Sequence, residues 1–171
     1  VGALTAVPAL LRQFGVDPAE VIARAGLDPT VLDRPSNRIP YAGFARLLAE
    51  SAARTGCAHF GLLAGSEWHL SDLAATGEIM RHSPTVGEGL EEFVTIQHLN
   101  SAGGVGFLVR REGFADLGYA IHVPLDCSTA QVYDGVMAAA TNFLRDLCGQ
   151  SWSPAEVLLP HSAPADPTPF R

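Results

Sequence analysis

The sequence predicts an α+β fold, with an N-terminal helical subdomain over residues 1–100 and a small antiparallel β-β-α-β unit over residues 101–171. Two changes of pattern support this prediction. Apolar residues recur every three or four positions through the first hundred residues, and they recur every second position after Asn100. A long helical pattern and a short apolar segment then complete the second unit.

Two short helices are expected first. Gly15 ends the first of them, and Asp17-Pro18 begins the second, because an Asp side chain caps a helix and Pro fits its first position. Gly26 ends the second helix, and another Asp-Pro pair, Asp28-Pro29, opens a short turn. The apolar stripe of the first helix consists of Leu4, Val7, Leu11 and Phe14.

Four further helical segments are predicted before residue 100. The longest ends before Gly56, and two shorter ones cover residues 59–65 and 71–82, the latter weakened by Gly77. The fourth begins with the Thr-x-x-Glu pattern at residues 85–88, which is typical of a capping box. The apolar side of the longest helix consists of Tyr41, Phe44, Leu48 and Ala52.

The alternating segment predicts an antiparallel hairpin with one packed face. Val105, Phe107 and Val109 alternate with their neighbours before a turn at Glu112-Gly113, and Leu117 to Val123 alternate after it. A capping box at residues 128–131 is then expected to open the strongest helix, which would lie across the sheet. Residues 156–160 are predicted to form a last short strand. The apolar stripe of the helix predicted to begin at residues 128–131 consists of Val132, Val136, Ala140, Phe143, Leu144 and Leu147.

The charge, hydropathy and cysteine content of the chain argue against several classes of function. Eleven basic residues, all Arg, against eighteen acidic ones give a net charge of −7, so we expect no direct contact with nucleic acid, which requires a basic face. No uninterrupted apolar run approaches the roughly 20 residues that span a bilayer, and the N-terminus carries no secretory pattern. Three Cys without a CxxC pair favour reduced thiols in the cytoplasm. The ends of the chain suggest a piece of a longer protein.

Five short motifs occur in an order that is typical of one family. They are LLRQFGVDP at 10–18, AGLDP at 25–29, RIP at 38–40, HFGL at 59–62 and SPTVGE at 83–88. On these motifs the chain resembles the N-terminal, arabinose-binding-type domain of AraC-family transcription regulators, in its mostly helical class. The last residues of the chain, 164–171, resemble the segment that precedes the linker to the DNA-binding domain in this family.

The resemblance implies a bacterial sensing domain that binds a small-molecule effector and forms a homodimer. It implies a C-terminal helix-turn-helix domain beyond residue 171 that contacts DNA. It implies no catalytic residues, because the matching motifs are structural. Two alternatives remain: a stand-alone small-molecule-binding module, and a domain that only dimerises.

The residues themselves do not indicate an enzyme or a cofactor. There is no Gly-x-Ser-x-Gly turn, and the glycine-rich residues 103–106 precede a predicted strand, whereas phosphate-binding loops follow one. The adjacent carboxylates of Glu91-Glu92 do not indicate catalysis either, because they are expected to lie on an exposed, solvated helix face. No metal site is predicted either, because the possible ligands fit no zinc spacing, and a reduced core thiol with partly exposed histidines is favoured. Those possible ligands are Cys57, His59, His69 and His82.

An effector site is expected where the helical half meets the sheet, because pockets favour such junctions. Tyr119 and His122 lie on opposite faces of their strand, so at most one of them can face a given pocket. The alternative is that Tyr119 is a core aromatic and that His122 faces solvent. The candidate effector-binding residues are Trp68, His69, Gln97, His98, Asn100, Tyr119 and His122.

The last helix also offers a dimer contact. Its apolar stripe must face the sheet, which leaves Tyr133 and Met137 at the margin of that stripe as candidate dimer contacts. The alternative is that the helix only covers the core, and the two roles are compatible.

Overall fold

The computed structural model of the chain describes residues 2–99, 101–162 and 166–170. These residues form helices followed by a β-hairpin and a last helix, which confirms the α+β class. The helices are α1 (Val7–Gln13), α2 (Pro18–Arg24), α3 (Tyr41–Thr55), α4 (Phe60–Ser66), α5 (Ala75–His82), α6 (Val86–Ile96) and α7 (Ala130–Cys148), and the strands are β1 (Gly104–Arg111) and β2 (Phe114–Ile121). Short 3-10 turns at Gly2–Leu4, Val31–Asp33, Leu70–Leu73, Gln97–Leu99 and Thr168–Phe170 join or flank them.

The helix boundaries follow the local signals in the sequence. The Asp17 carboxylate accepts a hydrogen bond of 3.0 Å from the Ala19 N–H at the start of α2. The Thr85 hydroxyl accepts one of 3.2 Å from the Glu88 N–H at the start of α6. Gly56 ends α3 with a φ of 67°, a conformation in which a side chain would be strained. The predicted N-caps of α2 and α6 and the predicted glycine at the end of α3 are therefore confirmed.

Two apolar clusters form the core, and α7 contributes to both. The first is built mainly from α1 to α4, with Phe60, Leu11 and Leu47 fully buried, and it includes Val132 of α7. The second joins the Leu70–Leu73 turn, α5 and α6 to Phe143 of α7. Because α7 shares residues with both clusters, a displacement of this helix affects both halves of the molecule.

Helices α4 and α7 pack backbone against backbone. A Cβ atom at Gly61 would lie 2.0 Å from the Gln131 carbonyl oxygen, and one at Gly65 would lie 2.0 Å from that of Gly135. Only glycine allows this approach. The Gln131 carboxamide reinforces the contact, since it donates to the Ala58 carbonyl oxygen and accepts from the Gly61 N–H, both at 2.7 Å.

Three local predictions are wrong. The capping box at 128–131 does not form, because the Gln131 side chain bonds to residues at the start of α4 instead. The helix predicted over 71–82 is divided at Ala74, which has a φ of 49°, and its first part is a 3-10 turn. Residues 156–160 form no strand. Their apolar side chains have no strand partner, and Leu158 is 79 % exposed.

The hairpin forms as predicted, but the alternating apolar residues of β1 lie on its exposed face. β1 and β2 pair antiparallel, with Leu108 opposite Leu117 and Arg111 opposite Phe114. Val105, Phe107 and Val109 are exposed, and the packed face of β1 carries Gly104, Gly106 and Leu108 instead. Glycine is needed there because β2 fills the space with Tyr119, whose hydroxyl would lie 1.9 Å from a Cβ at Gly104.

Candidate functional site

Three tyrosines meet where the helical half joins the sheet. The hydroxyls of Tyr41, at the start of α3, and Tyr119, on β2, are 2.8 Å apart. The ring of Tyr133, on α7, lies edge-on to that of Tyr119 with centroids 6.4 Å apart. Burial is the main cause that raises the pKa of both Tyr41 and Tyr119, so both phenols are neutral at neutral pH. This tyrosine cluster offers hydrogen bonds but no charge.

The glycines at the start of β1 provide space for these tyrosines. A Cβ at Gly103 would lie 2.1 Å from the Tyr41 ring, just as one at Gly104 would overlap the Tyr119 hydroxyl. The sequence shows the glycines but not their purpose, because the tyrosines that occupy the space come from α3 and β2, distant in the chain from each other.

An apolar cavity lies beside the tyrosine cluster, between α3, α4 and α7. Its volume is about 30 Å³, and apolar residues line it throughout. Phe44 and Leu48 of α3, Ala64 of α4 and Val136 of α7 form its walls, and the Gly2–Leu4 turn contributes Leu4. Phe44 connects the cavity to the tyrosine cluster, since its ring centroid is 5.4 Å from that of Tyr41.

Trp68 lines the same cavity and carries a buried donor without a partner. Its ring packs edge-on against Phe143, with centroids 5.3 Å apart. The side-chain amide of Asn142, on α7, holds the Trp68 carbonyl oxygen at 3.2 Å. The indole N–H is buried, and no acceptor among the described residues bonds to it. An unpaired buried donor costs about 1–3 kcal/mol, so this N–H favours any acceptor that reaches it.

A larger groove of about 190 Å³ lies away from the sheet, between α1, α2 and the Val31–Asp33 turn. Arg12, Asp17 and Asp33 are among its lining residues, so its chemistry is polar and of mixed charge. Asp17 already caps α2, and no residue predicted for the effector site lines this groove. The apolar cavity therefore matches the predicted site better.

Two of the predicted site residues bond to other polar groups of the chain. The Gln97 carboxamide bonds to both backbone groups of Gly106, accepting from its N–H and donating to its carbonyl oxygen at 2.7 Å, so it covers part of the outer edge of β1. The His69 backbone N–H donates to the Asp72 carboxylate at 2.8 Å, and the exposed His69 ring lies 3.4 Å from the Asp146 carboxylate.

The remaining candidates lie apart from the cavity. His98 and His122 are exposed, and the His98 ring lies 3.1 Å from the Thr95 carbonyl oxygen. Asn100 falls outside the described residues. Of the dimer candidates on α7, Tyr133 belongs to the tyrosine cluster and Met137 is half-buried. The structure thus places Trp68 at the cavity and Tyr119 and Tyr133 beside it.

A buried ion pair that sequence reasoning missed lies on the other side of α7. Asp134 is 2 % exposed, and one of its carboxylate oxygens lies 2.8 Å from the Nε2 atom of His161. Asp134 is two residues from Val132 and thus nearly opposite the apolar stripe, where a sequence pattern predicts a solvated side chain. The segment that follows α7 buries it, and no local signal reveals that contact.

The described residues contain no group of three potential metal ligands, and none of their helices is long and apolar enough to cross a membrane. Cys57, Cys127 and Cys148 are unpaired thiols.

Comparison with known proteins identifies related sequences along nearly the whole chain. The family model of the N-terminal arabinose-binding domain of AraC transcription regulators matches residues 15–171. The HTH-type transcriptional regulator VirS of Mycobacterium tuberculosis is 29% identical over 143 residues, which cover 82% of this chain and 42% of that protein. The ornithine utilization regulator of Pseudomonas aeruginosa is 23% identical over 156 residues, 91% of this chain and 46% of that protein. The chain spans less than half the length of these relatives.

Proposed function

This chain belongs to the arabinose-binding domains of AraC transcription regulators, and we propose that it senses a small-molecule effector in the cytoplasm for such a regulator. The DNA contact would be made by a C-terminal helix-turn-helix domain in the part of the regulator beyond the matched region. Two features support this division: the relatives are more than twice as long as the matched region, and the chain has a net charge of −7.

We propose the apolar cavity as the effector site. The observation that carries this proposal is Trp68, which lines the cavity and whose buried indole N–H has no acceptor among the described residues. A cavity of about 30 Å³ holds little more than a water molecule, so the effector must widen it. Effector binding would therefore favour a more open arrangement of α3, α4 and α7.

The lining residues determine the class of effector. An uncharged and mostly apolar molecule with one hydrogen-bond acceptor fits the apolar walls and the Trp68 N–H. The family is named for arabinose, but a sugar would lose most of its hydrogen bonds to water in this cavity. A basic amino acid such as ornithine, after which one relative is named, would need a carboxylate that this lining does not provide.

A thermal-shift screen of the 171-residue chain tests this proposal. The panel contains neutral aromatic esters and amides, medium-chain aliphatic alcohols, arabinose and ornithine. A ligand at 100 times its Kd stabilises the folded state by about 2.7 kcal/mol, which raises Tm by several degrees. We expect a shift with a member of the first two groups. A response to arabinose or ornithine alone would contradict the apolar site, and Arg12→Ala would then test the polar groove.

Trp68→Phe identifies the site in the same assay. The substitution keeps an aromatic ring and removes the donor, so we expect the effector-induced shift to fall by at least half. Trp152→Phe is the matched control, since it removes the other Trp of the chain, which does not line the cavity. Equal shifts in both variants would place the ligand elsewhere.

We also propose that the domain forms a homodimer, with Tyr133 and Met137 at the margin of the contact. Tyr133 is partly buried by the tyrosine cluster, so Met137 is the better test position. Sedimentation of wild type and Met137→Glu should show a dimer and a monomer, respectively. A monomeric wild type would restrict the function of the domain to ligand sensing.

A further inference from the structure

The Asp134–His161 pair fastens the segment after α7 to the outer side of that helix. The carboxylate is almost fully buried, and the imidazole is four-fifths buried. The Nε2 atom of His161 lies 2.8 Å from the carboxylate, and its Nδ1 atom lies 3.0 Å from the Ser162 carbonyl oxygen. Carboxylate and carbonyl oxygens only accept hydrogen bonds, so both ring nitrogens must donate. The geometry therefore selects the protonated, cationic imidazole.

The electrostatics agree with this geometry. Burial lowers the pKa of His161, but its bonds to Ser162 and Asp134 outweigh burial and raise it above the usual value. Burial raises the pKa of Asp134, and the neighbouring His161 and His59 oppose that effect. His59, which precedes α4, also acts on Asp166 near the end of the chain. The groups that act on the Asp134 carboxylate are thus His161 and His59.

A second polar contact ties the same segment to α7. The Arg145 Nε–H donates to the Trp152 carbonyl oxygen at 3.2 Å. Arg145 is eleven residues, about three turns, beyond Asp134, so both residues lie on one side of the helix. Residues 152–161 therefore form a strap along α7 that is tied near both ends. Between the ties, Val157 and Leu158 are exposed, so apolar burial contributes little to holding the middle.

The turn of α7 that carries Asp134 also borders the proposed effector cavity. Tyr133 contacts Tyr119, and Gly135 and Val136 line the cavity. A molecule that widens the cavity between α3 and α7 pushes against this turn, whose backbone already packs directly against that of α4.

We infer that Asp134 and His161 form a latch that couples the cavity to the strap, so that opening the cavity releases residues 152–161 from α7. In a regulator whose DNA-binding domain follows this one, release of the strap would change the path of the chain towards that domain. The coupling rests on the proposed effector site, whereas the latch itself does not. Deprotonation of His161 provides a second way to open it, because the neutral imidazole can donate only one of the two hydrogen bonds.

Backbone order parameters from NMR of the 171-residue chain test the latch without any ligand. For residues 152–161 of the wild type at pH 6.0 we expect values near those of rigid backbone, about 0.85, and for His161→Gln values below about 0.6. The wild-type values should fall when the pH is raised to 8.0, and those of His161→Gln should not change further. His82→Gln, at an exposed histidine paired only within α5, should match the wild type.

A rigid strap in His161→Gln, or a pH response that persists in that variant, would overturn the latch. The coupling needs a separate variant, Ala64→Leu, which extends a side chain into the cavity as a fixed substitute for an effector. Ala45→Leu is its control, at an equally buried position in α3 that does not line the cavity. Release of the strap in Ala64→Leu alone supports the coupling, and an ordered strap in both would overturn it. Effector binding is measured independently, so its failure would leave the test of the latch intact.

Discussion

The two sides of α7 are held to the molecule in opposite ways. On the inner side, glycines at 61, 65 and 135 bring α7 and α4 into backbone contact, and apolar residues surround that contact. On the outer side, the strap is tied by two polar contacts and leaves Leu158 exposed. The inner contact has no adjustable side chain between the backbones, whereas the outer one depends on a titratable group. The inner side should therefore determine stability, and the outer side should respond to conditions.

The largest expected effect is at the inner side. In Gly65→Ala the new Cβ would lie 2.0 Å from the Gly135 carbonyl oxygen, a backbone atom that can move only if the whole helix moves. We expect the free energy of unfolding to fall by about 3 kcal/mol or more, measured by urea denaturation.

Gly87→Ala is the control for that substitution. Its Cβ would come closest to the flexible end of Arg110, at 3.0 Å, and α6 should gain slightly from the better helix former. An equally small change in the free energy of unfolding in both variants would show that α4 and α7 can separate enough to admit a Cβ atom at position 65.

A smaller effect is expected at the outer side, and it depends on pH. Since folding raises the pKa of His161, its contribution to stability is full below the unfolded value of 6.5 and is lost as the pH rises through the folded value. Each unit of that increase corresponds to about 1.4 kcal/mol. Asp134 also has a raised pKa, so its contribution is full below the unfolded value of 3.8 and is lost as the pH rises through the folded value, before the range in which His161 titrates.

Denaturation of wild type and His161→Gln between pH 6 and 9 measures the His161 contribution. The free energy of unfolding of the wild type should fall towards that of the variant as the pH rises, and the two curves should converge once His161 is neutral. Parallel curves would show that the imidazole is not held as a cation.

The contrast between the two sides also explains which features the sequence can predict. Helix ends were predictable at Asp17, Thr85 and Gly56, because a cap depends on residues within one turn. The hairpin was predictable from its alternation. The purpose of Gly103 and the burial of Asp134 depend on segments that are distant in the chain, and no local pattern encodes them. The strand expected at 156–160 failed for the same reason, since a strand requires a neighbour as well as a sequence.

The candidate site residues were likewise only partly predictable from the sequence. Trp68 was a candidate because an effector site is expected where the helical half meets the sheet, and it lines the cavity. Gln97 was a candidate for similar reasons, yet its carboxamide bonds to the backbone of Gly106. From the sequence a polar side chain that binds a ligand looks the same as one that completes a sheet edge. Only the position of the acceptor in three dimensions distinguishes them.

The smallest expected effect is at the cavity, which lies on the inner side of α7. In Trp68→Phe without effector, loss of ring contacts destabilises the folded state, and loss of the unpaired N–H stabilises it by about 1–3 kcal/mol. Because the two terms oppose each other, we expect the free energy of unfolding to change by less than about 1 kcal/mol, although effector binding is reduced. A loss of more than about 2 kcal/mol in urea denaturation would mean that the indole N–H already has a partner, such as a bound water. The cavity would then be filled and would not await an acceptor from a ligand.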